Sequence, residues 1–261
     1  MNVDRIEHVE VALYKVPLKV AVSDAKVLTG KQKPLSHIGM LTAHIETANG
    51  AQGFGFSYAL RAGSAALLAH AKELAGDLVG EDPRDIGRLW EKLAWQGASV
   101  ARTGVTVQTI AAFDLALWDL KARLADMPLG KLLGAYRDSV PCYNTSGGYL
   151  NASTSEVLAN VDASLARGLG GIKLKVGQRE IKKDIERVAA VRKHVGDDVP
   201  IMVDANQQWD FTTALHAGRM LDDYRLTWLE EPLSAYDYRG HAELRNRLAT
   251  PTEDGNSNSS A

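Results

Sequence analysis

Three acid or base residues close three strand-like apolar runs at nearly equal intervals: Lys175 ends GIKLKV, Asp204 ends IMVD and Glu230 ends LTWLE. The separations are 204−175 = 29 and 230−204 = 26 residues, and each holds a loop, an amphipathic helical pattern and a short apolar strand. A parallel α/β barrel uses about 30 residues per unit and builds its active site from the C-terminal ends of its strands. One base and two carboxylates would then converge on one mouth.

Strand and helix alternate from Ser139 onward. The strands are VPCYNTS, GIKLKV, PIMVDA and LTWLEE, and helices are expected to begin near Ser153, Glu180, Thr212 and Tyr238. These units amount to about half of an eight-unit barrel. The last ten residues, TEDGNSNSSA, carry no large apolar side chain, so they are not expected to form a buried fifth strand and the chain is expected to stop in mid-fold.

The first ~125 residues read differently. Two β-like stretches, HVEVALYKV and IGMLTAHIET, flank a polar segment from Ser23 to Pro34 that reads as a long, mobile loop, and Asn49-Gly50 supplies a turn before AQGFGFSYA. Helical patterns follow in AGSAALLAHAKELAGDLVG, DIGRLWEKLAW and VTVQTIAAFDLALWDLKARLA. The expected fold class is α/β: an α+β domain over 1–125, a partial (β/α) barrel over 126–251 and a disordered tail over 252–261.

Composition narrows the partners. The chain has 30 basic and 32 acidic residues, so no broad field recruits nucleic acid or an anionic membrane, and a small-molecule partner fits better. A single cysteine, Cys142, excludes an internal disulfide framework and a cysteine zinc site. The start, MNVDRIEHVEVALYKV, lacks an apolar leader core and no run of ~18 apolar residues follows, so a soluble, cytoplasmic protein is expected.

Residues i and i+2 of a strand share a face, which sets Lys173 beside Lys175. Two neighbouring ammonium groups disfavour each other's protonation, and a lysine must fall from its reference pKa of about 10.4 to act as a base near neutrality. The same pair is also compatible with a solvated strand end bearing two snorkelling lysines. Asp204 and Glu230 at neighbouring strand ends can share a hard cation such as Mg²⁺; equally, they can cap helices or pair with the lysines. Asn206 can cap a helix, orient a ligand or touch substrate. Glu231, next to Pro232, reads as a supporting acid or a loop entry.

Taken together these residues resemble the enolase superfamily, in its mandelate racemase and muconate lactonising enzyme branch. The segment AAFDLALWDLKARLADMPLGKLLG (111–134) is similar to that branch's linker-helix signature, and VDAN followed by LEEP, with Ala214 and Leu221 between, is similar to its metal-strand signature. The resemblance covers residues 3 to about 251. A closer likeness, to the galactarate and L-talarate dehydratases, is carried by SDAKVLTGKQKP (23–34), GFSYALRAG (55–63), YNTSGGYL (143–150), GGIKLKVGQ (170–178) and VDANQQWD (203–210).

The resemblance implies a capping domain followed by a modified TIM barrel, with Lys175 as general base, Lys173 as its pKa-lowering neighbour, and Asp204 and Glu230 as the first two Mg²⁺ ligands. It implies proton abstraction α to a carboxylate, an enediolate stabilised by the metal, and loss of a β-hydroxyl. The loops at 23–34 and 55–63 would close over the mouth, with Lys26, Lys31, Tyr58, Arg61 and Asn206 contacting an acid-sugar substrate, in a homo-oligomer.

The departures are specific. The family's third metal carboxylate follows Ala249-Thr250-Pro251 in a Gly-Glu pair, where this chain has Gly255-Asn256. The His-Asp dyad of later strands and the segment completing the capping domain are also missing. A truncated, inactive dehydratase is therefore expected; a racemase, epimerase or cycloisomerase of the same fold, and a non-catalytic remnant that associates with a homologue, are the alternatives.

Overall fold

The computed structural model describes residues 4–100, 103–145 and 148–253. The chain forms two compact units, one of Met1–Ala21 with Leu35–Asp138 and one of Val22–Pro34 with Ser139–Ser259. From sequence the boundary is expected at 125/126, with the 22–34 segment in the first domain. Contacts, rather than chain order, assign that segment to the barrel unit.

In chain order the first stretch gives β1 (Ile6–Val22), a short helix α1 (Ala25–Leu28), β2 (Leu35–Thr47), β3 (Gln52–Ala59), α2 (Ser64–Ala75), α3 (Ile86–Gln96), α4 (Val105–Leu124) and α5 (Leu129–Leu132). The sheet runs β1-β2-β3, and β2 pairs antiparallel with β3 from Gly39↔Ala59 to Glu46↔Gln52. Along β3 the buried side belongs to Gly53, Gly55, Ser57 and Ala59, while Phe54, Phe56 and Tyr58 stay about half exposed. The helix α4 explains this inversion: a Cβ at Gly53 or Gly55 would fall on the α4 backbone at Ala116 or Ala112. Small residues let helix and strand backbones approach, and Phe113, Leu117 and Leu120 of α4 fill the core beside them.

The second unit adds α6 (Thr154–Ala166), β4 (Ile172–Lys175), α7 (Ile181–Val195), β5 (Ile201–Asp204), α8 (Phe211–Leu221), β6 (Leu229–Glu230), α9 (Tyr238–Arg247) and β7 (Thr252–Glu253). Its sheet is parallel in the order β4-β5-β6-β7, as in part of a (β/α) barrel. The helices start where their caps dictate: Ser153 and Glu156 form a reciprocal capping box on α6, and Asp210 and Asp237 cap α8 and α9. Leu174, Val176, Val203, Leu229, Val188 and Leu221 form the core between strands and helices. Burying each side chain of this size contributes about 2 kcal/mol.

Two expectations change here. The run VPCYNTS contributes one parallel bridge, Asn144↔Ile172, rather than a full strand. Thr252 and Glu253, expected in a disordered tail, pair with β6 through Leu229 N to Pro251 O and Glu231 N to Glu253 O, each 2.8 Å. Backbone pairing needs no apolar side chain, so a polar sequence can still supply this short edge. Residues 254–261, including Gly255-Asn256, lie outside the described residues.

Candidate active site

Strand register brings the chemistry together. Lys175 pairs with Asp204, Asp204 with Glu230, and Glu230 with Glu253, so one row crosses the four strand ends. Along β4, Ile172 and Leu174 point into the core, leaving Lys173 and Lys175 on the other face with side chains 11% and 16% exposed. Asp204 and Glu230 are as enclosed, at 3% and 14%.

The four groups form a charge-balanced cluster. Lys175 Nζ donates to Asp204 Oδ2 at 2.5 Å, and Lys173 Nζ donates to Glu230 Oε1 and Oε2 at 2.8 and 2.7 Å. Lys173 Nζ also lies 3.8 Å from the Asp204 Oδ2 that Lys175 contacts, so both ammonium groups address one oxygen. Burial works to lower the Lys173 pKa, but the Glu230 hydrogen bond and the charges of Asp204 and Glu230 outweigh it and leave the value raised. The mutual depression read from the KxK spacing is thus opposed at Lys173 by two carboxylates.

Residues flanking the strands on both sides hold this cluster. Trp228 Nε1 donates to Glu230 Oε2 at 3.2 Å, and its ring meets Tyr143 edge-on at 5.5 Å. The Asn206 backbone N–H donates to Asp204 Oδ1 at 2.8 Å. Asn206, Gln207 and Glu231 all sit at positive φ, 49°, 63° and 44°, a conformation that costs about 1 kcal/mol or more for a residue with a side chain. Asp184 on α7, wholly buried, accepts from Gly177 N, Gln178 N and Gln178 Nε2 at 2.8–2.9 Å and fixes the loop following Lys175.

The residues named from sequence fare differently. Lys173, Lys175, Asp204 and Glu230 meet directly, and Asn206 adjoins them through Asp204. Glu231 accepts from Gln207 Nε2 at 3.0 Å, and Gln207 Oε1 in turn accepts from Ala235 N at 3.1 Å, which makes Glu231 a brace between two loops. Lys26, half-buried, and Lys31, exposed, lie in the barrel unit without a hydrogen bond to the cluster among the described residues. Tyr58, 51% exposed, and Arg61 belong to the other unit. Trp228 and Asp184 were not singled out from sequence. Trp228 could have been, since it shares a strand face with Glu230 two residues on.

Two enclosed carboxylates at adjacent strand ends, Asp204 buried and Glu230 partly so, are hard oxygen donors of the kind a divalent cation takes. The Asn206 side-chain oxygen is buried without a hydrogen-bond partner among the described residues, one more oxygen beside Asp204 awaiting a donor or a cation. The donor set fits Mg²⁺ as a partial site: among the described residues no three His, Cys, Asp or Glu side chains cluster to hold a metal.

Two family profiles cover most of the chain. The mandelate racemase / muconate lactonizing enzyme N-terminal domain matches residues 10–134, and the enolase C-terminal domain-like profile matches residues 156–257. The chain belongs to this family of the enolase superfamily. Within it, the chain is 55% identical to an L-talarate/galactarate dehydratase of Salmonella typhimurium over 97% of its own length and 63% of the relative's. A 3,6-anhydro-alpha-L-galactonate cycloisomerase of Streptomyces coelicolor is 37% identical over 92% of this chain and 65% of its own. The crystal structure of an L-talarate dehydratase from Polaromonas sp. JS666, complexed with Mg and L-glucarate, superposes with a TM-score of 0.91 at 57% identity, over 95% of this chain and 67% of that one. The chain thus spans just under two thirds of the length of these two curated relatives. Among the described residues no helix is long and apolar enough to cross a membrane.

Proposed function

We propose that this site is the base-and-metal half of an acid-sugar dehydratase acting on galactarate or L-talarate. The supporting observation is the partly buried row of Lys175, Asp204 and Glu230 with Lys173 beside it. Asp204 and Glu230 would hold Mg²⁺, which when bound stabilises negative charge developing on a substrate carboxylate. Lys175 takes the proton from the carbon α to that carboxylate onto Nζ, which requires it to leave Asp204 and be neutral. Lys173, kept charged by Glu230, disfavours a second positive charge at Lys175. Asn206 offers its unpaired oxygen to a substrate hydroxyl, and Lys26, Lys31, Tyr58 and Arg61 are assigned to the distal carboxylate and hydroxyls. Loss of the β-hydroxyl needs an acid that the resemblance assigns to later strands, so residues 1–261 alone are expected to be inactive. A homo-oligomer is part of the same proposal.

The cycloisomerase relative supports a second reading, because Lys175 and the two carboxylates would serve proton abstraction in either reaction. The test joins this chain to the remaining barrel strands of the Salmonella enzyme and screens galactarate, L-talarate, sugar lactones, mandelate and dipeptides at millimolar Mg²⁺. Loss of water from the six-carbon diacids is the expected result. Turnover of lactones alone favours the second reading, and turnover confined to mandelate or dipeptides defeats both.

A further inference from the structure

The segment Val22–Pro34 interrupts a sheet of the first unit, yet its contacts lie with the barrel unit. Its helix α1 has four residues, too few to persist alone. Three features hold it. Asp24 caps it through Val27 N, Ala25 is completely buried, and Thr29 Oγ1 lies 3.0 Å from Oε1 of Gln208, a residue 179 positions further on. The single hydroxyl proton of Thr29 is shared between Gln208 Oε1 and Ala25 O, the latter at 2.8 Å. Gln208 is held in turn, since its Nε2 donates to Asn206 O at 2.8 Å.

Gly177, in the loop after Lys175, is where these pieces meet. It sits at φ +101°, and a Cβ there would lie 2.7 Å from Ala205 O, 3.1 Å from Ala25 Cβ and 3.3 Å from Gln208 Cβ. Only glycine combines that backbone angle with so close an approach. The loop after β4, the loop after β5 and α1 therefore converge on one residue, itself pinned by Asp184 through Gly177 N.

We propose that Thr29 and Gln208 form a latch, seated on Gly177, that fixes the Val22–Pro34 segment to the loops following β4 and β5 and so holds Lys26 in position before any ligand arrives. Thr29 and Gln208 are positioning residues. The latch stands independently of the reaction proposed above, because it concerns the order of a segment rather than turnover.

The test is digestion of the 261-residue chain with a lysine-specific endoprotease, following cleavage at Lys26-Val27 and Lys31-Gln32 by mass spectrometry. Thr29→Val and Gln208→Leu should each speed cleavage at these bonds about 5-fold, the change in open population expected from one ordinary hydrogen bond. The double variant should be no faster than the quicker single one, and Thr29→Ser, which keeps the hydroxyl, should match the parent. Unchanged rates in both single variants, or effects that multiply in the double variant, overturn the latch. Should Gln208→Leu loosen the whole chain, cleavage will appear at lysines throughout, and the comparison of Thr29→Val with Thr29→Ser then decides.

Discussion

Lys173 and Glu230, 57 residues apart in sequence, form a two-point ion pair in which one ammonium reaches both carboxylate oxygens at 2.8 and 2.7 Å. Lys175 contacts Asp204 at 2.5 Å, so each lysine has a different nearest carboxylate although Lys173 also lies 3.8 Å from Asp204. The i, i+2 spacing of the lysines alone does not say which of them takes which carboxylate.

The base is tested in the chain joined to the remaining barrel strands of the Salmonella relative. Lys175→Ala should lower turnover on galactarate or L-talarate by about three orders of magnitude, in line with loss of a general base. Lys173→Ala should also lower turnover, because the positive charge that disfavours a second ammonium beside it is gone. Turnover by the Lys175 variant near the parent's would end the assignment.

Removing one partner of the enclosed pair should be costly. Glu230→Gln keeps an acceptor for Trp228 Nε1 but leaves the Lys173 ammonium with only Asp204, at 3.8 Å. A loss of about 3 kcal/mol is expected in denaturant unfolding. Adding Lys173→Met should recover part of it. A Glu230→Gln variant as stable as the parent would mean that the pair is solvated.

The contact between β3 and α4 has no room for a methyl group at Gly55, where an added Cβ would fall on Ala112 O and Ala116 N. Gly55→Ala should destabilise the first unit by about 3 kcal/mol, since backbone rather than a flexible side chain must move. Gly50→Ala is the comparison: its Cβ would meet open space, and its positive φ alone should cost about 1 kcal/mol. Equal losses at both positions would refute the packing argument.

Acid should weaken the first unit through Asp82. Its carboxylate accepts from Arg84 Nε and Nη2, and this pairing lowers its pKa from 3.8 to about 2. A folded-state value below the unfolded one contributes stability above pH 3.8 that disappears as pH falls toward about 2. Arg84 is mostly exposed, so solvent screens much of that contribution. Asp82→Asn should remove that part of the acid dependence, and an unchanged stability–pH curve between 4 and 2 would show that the pair is screened away.

Mg²⁺ should bind the 261-residue chain weakly. Two carboxylates leave most of an octahedral shell to water, and the cation must displace two ammonium groups from Asp204 and Glu230. Calorimetry should give a dissociation constant in the millimolar range, abolished by Asp204→Asn. Micromolar affinity would point to a third carboxylate, with Glu253, in register with Glu230, the first to replace.

Periodicity along the chain was enough to place Lys175, Asp204 and Glu230 at successive strand ends, because a βα unit has a nearly constant length and strand ends follow from where apolar runs stop. Alternation within β4 likewise set Lys173 and Lys175 on one face. Which lysine takes which carboxylate was decided by register between strands, and register depends on how helices pack across the sheet. The same holds for α1: a polar stretch read as a loop becomes an ordered turn because Gly177 and Gln208, well over a hundred residues away, leave a space that Ala25 and Thr29 fill. Thr252 and Glu253 join the sheet for a related reason, since β6 presents backbone donors and acceptors that any sequence can meet. Local composition determines which segments must be buried, but partners distant in sequence determine what polar residues do when they are brought to that surface.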